Sequence, residues 1–295
     1  MRGKIDCFLA CENLNEAEVT VAQLRADSTV RHIYLLVSGI MADSDKPLPD
    51  CTFVPIERLT STATIKAIAC RATADYVLLC TKSAPVQLGM YATKRLIRVA
   101  EDSGASLVYA DHYSVEDGQT VRHPAIDYQL GSIRDDFDFG SLLFLRTSGI
   151  RDYVGQENLP DYEFAGLYDL RLFISRNGVL LHIDEFLYTE CEYDLRASGE
   201  KQFDYVNPRN REVQVEMEQA ATHHLGELGA LVDTSSYAIP DFKEQAFECE
   251  ASVVIPVFNR AKTIRDAVDS ALAQKTTFKY NVIVVDNHST DGTTQ

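Results

Sequence analysis

The sequence contains no apolar run long enough to span a bilayer, so a membrane-crossing helix is not what organises it. Its opening, Met-Arg-Gly-Lys-Ile-Asp, lacks the apolar segment of a secretory signal, and Glu12 interrupts the stretch that follows. Basic residues are scarce: 28 Lys and Arg stand against 44 Asp and Glu, a formal net charge of −16. That balance excludes a nucleic-acid partner from the expected functions, because gripping a phosphate backbone needs a basic face. It does not exclude a nucleotide-sugar, whose diphosphate is commonly masked by a divalent cation. No Cys-x-x-Cys pair occurs among the seven cysteines, and the seven histidines show no ligand spacing. No metal centre is therefore expected in this chain. Cys7, Cys70 and Cys80 lie among apolar or small residues and read as reduced core thiols of a cytoplasmic protein.

What is present points to an ordered α/β protein. Apolar residues make up 45% of 295, enough for a substantial core and about two domains. Strands are predicted at 4–10, 32–37, 52–56, 75–80, 106–110, 139–145 and 179–183, with Phe186-Leu187-Tyr188 following as a separate short stretch. Helices are predicted at 13–27, 61–72, 85–103, 168–176 and 210–231. Residues 233–250, with Ser235, Ser236, Pro240 and several acids, read as a linker.

The tail is the most informative stretch. Val253, Val254 and Ile255 form a β-branched run of the kind buried on both faces of a sheet, and Pro256 should end it by removing a ladder donor. Ile264, Ala267, Val268, Ala271 and Leu272 recur at helical spacing. Val282 to Val285 is a second apolar strand, leaving into the polar loop Asp286-Asn287-His288-Ser289-Thr290-Asp291-Gly292. Strand, helix, strand is a βαβ unit.

Val254-Ile255-Pro256-Val257-Phe258-Asn259 and Val284-Val285-Asp286-Asn287-His288-Ser289-Thr290-Asp291-Gly292-Thr293 resemble the opening of the family-2 glycosyltransferases. The resemblance implies a Rossmann-like GT-A fold with a mixed, mostly parallel sheet, in which these two loops form the nucleotide pocket. It makes Pro256, Val257, Phe258, Asn259, Asp286, Asn287 and Ser289 candidate nucleotide-binding residues. Ligands of open α/β sheets lie beyond the carboxyl ends of the strands. Asp286, placed there, is the candidate reader of a uracil-like base, and Phe258 could pack on base or ribose. Each also has an ordinary structural reading: Asp286 and Asn259 are both good helix caps. The resemblance further implies a nucleotide-sugar donor, expected to be UDP-linked, a glycan or lipid-linked acceptor, and Mg or Mn in the complete parent enzyme.

The same pattern occurs at the start of the chain. Cys7 to Asn13 lines up with Val253 to Asn259, and Ile33 to Val37 with Val282 to Asp286. Residues 1–232 are therefore expected to be one complete glycosyltransferase-like domain, and 251–295 the first βαβ unit of a truncated second copy. In the first copy the family's positions are altered. Val37 stands where the base-reading Asp would be, Thr81-Lys82-Ser83 where an Asp-x-Asp metal motif would be, and Leu167 where the catalytic base would be. Asp169 becomes the base candidate only if the register slips by two. Lys82, as a cation replacing the metal, and Asp111, after a strand, are further pocket candidates. Asp135, Asp136 and Asp138 cluster without a glycine-centred calcium loop and read as a charged loop. Two functions stay open: a tandem glycosyltransferase, cytoplasmic or peripheral to the inner membrane, and an inactive glycosyltransferase-like module used for binding or assembly. Exposed strands in a repeated unit also suggest a homodimer.

Overall fold

The computed structural model describes residues 4–116, 118–191, 211–238 and 247–295. The chain divides into two compact units, Met1–Val232 and Asp233–Gln295. Residues 239–246 of the expected linker lie outside the described residues.

The first unit is a three-layer α/β structure. In order it has β1 (Ile5–Ala10), α1 (Leu14–Ala26), β2 (Val30–Val37), α2 (Gly39–Ser44), β3 (Cys51–Pro55), α3 (Thr62–Arg71) and β4 (Tyr76–Cys80). There follow β5 (Val86–Leu88), α4 (Ala92–Ser103), β6 (Leu107–Glu116), β7 (Gln119–His123), β8 (Leu142–Arg146) and α5 (Thr147–Val154). α6 (Gly166–Asn177), β9 (Leu180–Glu190) and α7 (Arg211–Glu227) complete it. The nine-stranded sheet has the order β3-β2-β1-β4-β8-β6-β9-β5, with β7 paired to β6. Six strands, β1, β2, β3, β4, β6 and β9, run one way; β5, β7 and β8 run against them. The sheet is thus mixed and mostly parallel.

Side-chain alternation builds both faces of this sheet. Cys7, Leu9, Leu35, Val37, Leu78 and Cys80 share one core with Val21 and Leu24 of α1 and Leu96 of α4. Phe8, Leu36, Val77 and Leu79 point the other way, into a core with Ile65 of α3, Tyr153 of α5 and Leu170 of α6. The central strands are buried on both faces, so their sequences read as unbroken apolar runs. Asn13 accepts the Asn15 N–H at 2.9 Å to start α1, and Ser61 accepts the Thr64 N–H at 3.1 Å to start α3.

The helix at 85–103, the stretches at 179–188 and the burial of Cys70 need correction here. Residues 85–103 are not one helix: Val86 and Leu88 pair antiparallel with β9, and α4 begins only at Ala92. Gly89 marks the break; its N–H donates to Leu187 O at 2.8 Å, and a Cβ there would lie 2.9 Å from that oxygen. The two stretches at 179–188 are one strand, β9, whose irregular register against β6 at Ala110 and Asp111 hides its continuity. α5 and β7 were not foreseen, because each is short and takes its stability from neighbours rather than from its own pattern. Cys70 is exposed, whereas Cys7 and Cys80 are buried as expected. Burial pushes the Cys80 thiol up to about 12 and the Cys7 thiol well above its ordinary value.

The second unit contains a 3-10 turn at Thr234–Ser236, then β10 (Ala251–Val257), α8 (Ile264–Leu272) and β11 (Tyr280–Asp286). β10 and β11 pair in parallel, as a βαβ unit requires. Pro256 does not end β10; it stays in register opposite Val285, which a two-stranded sheet permits because a strand with one neighbour can spare a donor. The expectation of burial on both faces also fails: Val254 is 56% and Val285 51% exposed, and no residue of α8 is buried. Among the described residues no helix is long and apolar enough to cross a membrane.

Candidate functional site

The second unit brings all the predicted nucleotide-binding residues to one end of its sheet. β10 leads into Phe258 and Asn259, and β11 into Asp286, Asn287 and Ser289. The two loops are tied to each other. Asn287 N–H donates to Val257 O at 2.9 Å, and Asn259 N–H to Ser289 Oγ at 2.9 Å. The Asn259 side chain returns the link, its Oδ1 accepting the Thr290 N–H at 2.8 Å. Asn259 adopts the left-handed conformation, with φ of 51°, which asparagine tolerates better than most residues. It does not cap α8, whose N-terminal residue Thr263 makes no side-chain cap. Asp291 adds two more ties, accepting the Ala261 N–H at 3.0 Å and the Thr293 N–H at 3.0 Å.

Asp286 lies where β11 ends. Its Oδ1 accepts the Ser289 N–H at 3.1 Å and the Ser289 hydroxyl at 2.5 Å, while Thr294 donates to Oδ2. The Ser289 bond first, and the Thr294 bond after it, hold the Asp286 carboxyl below its ordinary range. It is therefore an ionised acceptor across the neutral range. Phe258, which follows the Val257 paired with Asp286, is 54% exposed. An exposed ring and a fixed carboxylate at the same end of the strand pair suit a flat heterocycle that offers an N–H.

The corresponding edge of the first unit is built differently. Val37 is fully buried. Beyond β4, Lys82 Nζ pairs with Glu190 Oε2 at 2.5 Å. Glu190, at the end of β9, is almost completely buried; its Oε1 accepts the Ser141 N–H at 3.0 Å and lies 3.6 Å from His112 Nε2. Burial lowers the His112 pKa and outweighs the opposing pull of Glu190, so the ring is neutral near pH 7. Glu190 was missed in the sequence because its partners arrive from β4, β6 and β8, far away along the chain.

Asp111 is buried. Its Oδ1 accepts the Ala125 N–H at 2.8 Å and faces His182 Nε2 at 2.8 Å, while His182 Nδ1 contacts Asp127 at 2.9 Å. Asp169 is 3% exposed, and its Oδ2 accepts the Tyr153 hydroxyl at 2.9 Å. Burial raises its pKa more than the Tyr153 bond lowers it. Lys82, Asp111 and Asp169 thus sit in three separate polar arrangements rather than in one site.

A divalent cation fits poorly here. Among the described residues, no group of three or more His, Cys, Asp or Glu side chains converges as a metal site requires. At the end of β4 the Lys82 ammonium already neutralises Glu190. In the second unit Asp286 belongs to no such group.

The first unit also holds a cavity of about 240 Å³ between the sheet and α6, bordered by Thr81, Gly140, Leu143, Leu167 and Arg171. Leu167, Tyr168, Leu170 and Arg171 contribute to its wall; Asp169, between them, turns toward α5 instead.

No curated protein matches the chain. Many solved structures are similar to the chain, among them two at low identity. One is 4-diphosphocytidyl-2C-methyl-D-erythritol synthase from Anaerococcus prevotii, 11% identical with a TM-score of 0.40 over 62% of this chain and 89% of that one. The other is S. aureus TarS 1–349, 11% identical with a TM-score of 0.47 over 78% of this chain and 83% of that one. Neither likeness is strong enough to transfer a residue or an activity. The sequence match is local and falls on the paired loops: residues 252–295, covering β10, α8, β11 and Asp286, match the model of Glycosyl transferase family 2.

Proposed function

We propose that the paired loops of the second unit are the nucleotide-reading part of a family-2 glycosyltransferase. This activity would move a sugar from a nucleotide-sugar, UDP-linked, to a glycan or lipid-linked acceptor with inversion. Asp286 accepts the N–H of the base, Phe258 packs against base or ribose, and Asn259 and Ser289 hold the two loops at the spacing the nucleotide needs. The supporting observation is the coincidence of the family match with the cross-bonded loops around an ionised Asp286. Mg or Mn belongs to this proposal as the group that would stabilise the departing diphosphate when bound.

Residues 1–232 are, in this reading, a degenerate copy of the same domain. Ala10 pairs with Leu36 in β1 and β2 as Pro256 pairs with Val285 in β10 and β11, so the two strand pairs share a register under the sequence alignment. The buried Val37 and the Lys82–Glu190 pair favour a second reading for this copy, a module that binds or organises without transferring sugar.

Calorimetry with UDP and manganese on this chain tests the first reading. Binding at micromolar strength, lost in Asp286→Ala, is expected. Absence of heat at millimolar UDP would sink it.

A further inference from the structure

The cavity of the first unit carries a feature that the nucleotide reading leaves unused. Its wall is mainly apolar, with Leu107, Phe139, Leu143, Leu145, Leu170 and Met217. Arg171 completes it and is 6% exposed. The guanidinium donates through Nη2 to Arg134 O at 2.8 Å, while Nη1 is buried with no hydrogen-bond acceptor among the described residues. Three rings surround the cation, with centroids 4.8 Å away for Tyr168, 5.6 Å for Tyr128 and 5.7 Å for Phe139. The Tyr168 phenol supports the charge, while its hydroxyl donates to Ile133 O at 2.6 Å. No carboxylate among the described residues forms an ion pair with Arg171.

A buried charge with no carboxylate in contact is costly, and the aromatic faces and the more distant Asp135 offset only part of that cost. Arginine's fork matches a carboxylate in two parallel bonds. A cavity of about 150 Å³ takes one benzene ring, so 240 Å³ has room for about ten non-hydrogen atoms. Asp135 and Asp138 stand exposed at the border of the cavity. They repel a second negative charge more than a first, so a monoanion suits the site better than a phosphate dianion.

We infer that this cavity binds a monocarboxylate with an apolar body of about ten non-hydrogen atoms, its head paired with Arg171 and its body among the leucines and Phe139. The inference concerns the first unit alone and stands whether or not the second unit reads a nucleotide.

The test is calorimetry on the whole chain with octanoate, octan-1-ol and octyl phosphate. Octanoate is expected to bind once per chain and more tightly than either of the others. Arg171→Met should weaken octanoate by about tenfold or more, the usual scale for a charged hydrogen bond, and leave octan-1-ol unchanged. Arg171→Lys should restore part of the loss. Leu143→Phe, which fills the cavity, should abolish binding of all three. Equal affinity for octanoate and octan-1-ol in the unaltered chain overturns the proposal without any variant. So does the absence of saturable heat at millimolar octanoate, or octanoate binding that survives both Arg171→Met and Leu143→Phe.

Discussion

The two parallel strand pairs, β1 with β2 and β10 with β11, begin from nearly the same pattern and arrive in different environments. Both run as apolar, β-rich segments in the same register. In the first unit they lie inside a sheet with helices on both faces, and Val37 ends β2 fully buried. In the second the same position is Asp286, at the end of a two-stranded sheet whose valines are half exposed. An apolar run encodes the capacity to be buried on two faces; the layers that do the burying come from elsewhere in the chain. The residue at the strand's end then decides whether that end joins the core or faces a ligand.

The sharpest way to break this comparison is to exchange the two end residues. Val37→Asp places a carboxylate in a fully buried position, and a loss of about 5 kcal/mol is expected by chemical denaturation, enough to unfold many domains. Asp286→Val should leave the unfolding curve of the first unit unmoved while removing nucleotide binding. If Val37→Asp is tolerated, the first unit retains a usable pocket there.

A smaller contrast uses the strands themselves. Phe8→Ala, at a fully buried ring, is expected to cost about 4 kcal/mol. Val284→Ala, at 42% exposure, is expected to cost less than about 0.5 kcal/mol. Paired urea titrations measure both, and similar losses would mean that β11 is covered in solution.

Next in size is the Asp169 contact. Tyr153→Phe removes the hydroxyl that donates to the buried Asp169 carboxylate and should cost about 2 kcal/mol. The same site predicts a pH dependence. Burial raises the Asp169 pKa in the folded state, so its protonated form is favoured there. Its contribution to stability is complete below the ordinary carboxylate pKa and is lost as pH rises through the raised value. Asp169→Asn should therefore flatten the stability profile in the window just above pH 3.8. An unchanged profile would mean that Asp169 is solvated.

The smallest effect concerns how each unit secures its loops. In the second, Asp286, Asn259 and Asp291 are fastened to residues of the same two loops. In the first, Glu216 of α7 reaches back to the segment that starts α6, accepting the N–H groups of Glu163 at 3.1 Å, Phe164 at 2.6 Å and Ala165 at 3.0 Å. Glu216→Gln is expected to cost about 1 kcal/mol and to raise amide exchange at 163–165. No change in exchange there would show that α7 contributes packing alone.

The sequence made the central strands legible because alternation and β-branching are local properties. Val37, Lys82 and Asp286 could be compared with a motif because each lies at or just past the end of a strand. Glu190 and Arg171 could not be found that way. Glu190 acquires meaning only when β9 lies within reach of β4, and Arg171 only when the 128–139 segment folds its rings over α6. Pro256 misled for a related reason: a proline stops a strand only where a neighbour needs its donor.

The contrast between Cys70 and the pair Cys7 and Cys80 gives the molecule an internal clock. An alkylating reagent added to the native protein should modify Cys70 at once. It can reach Cys7 or Cys80 only in molecules whose central strands have parted. The ratio of slow to fast labelling, followed by mass spectrometry, would report how often the sheet opens under conditions where every spectroscopic probe still reads folded.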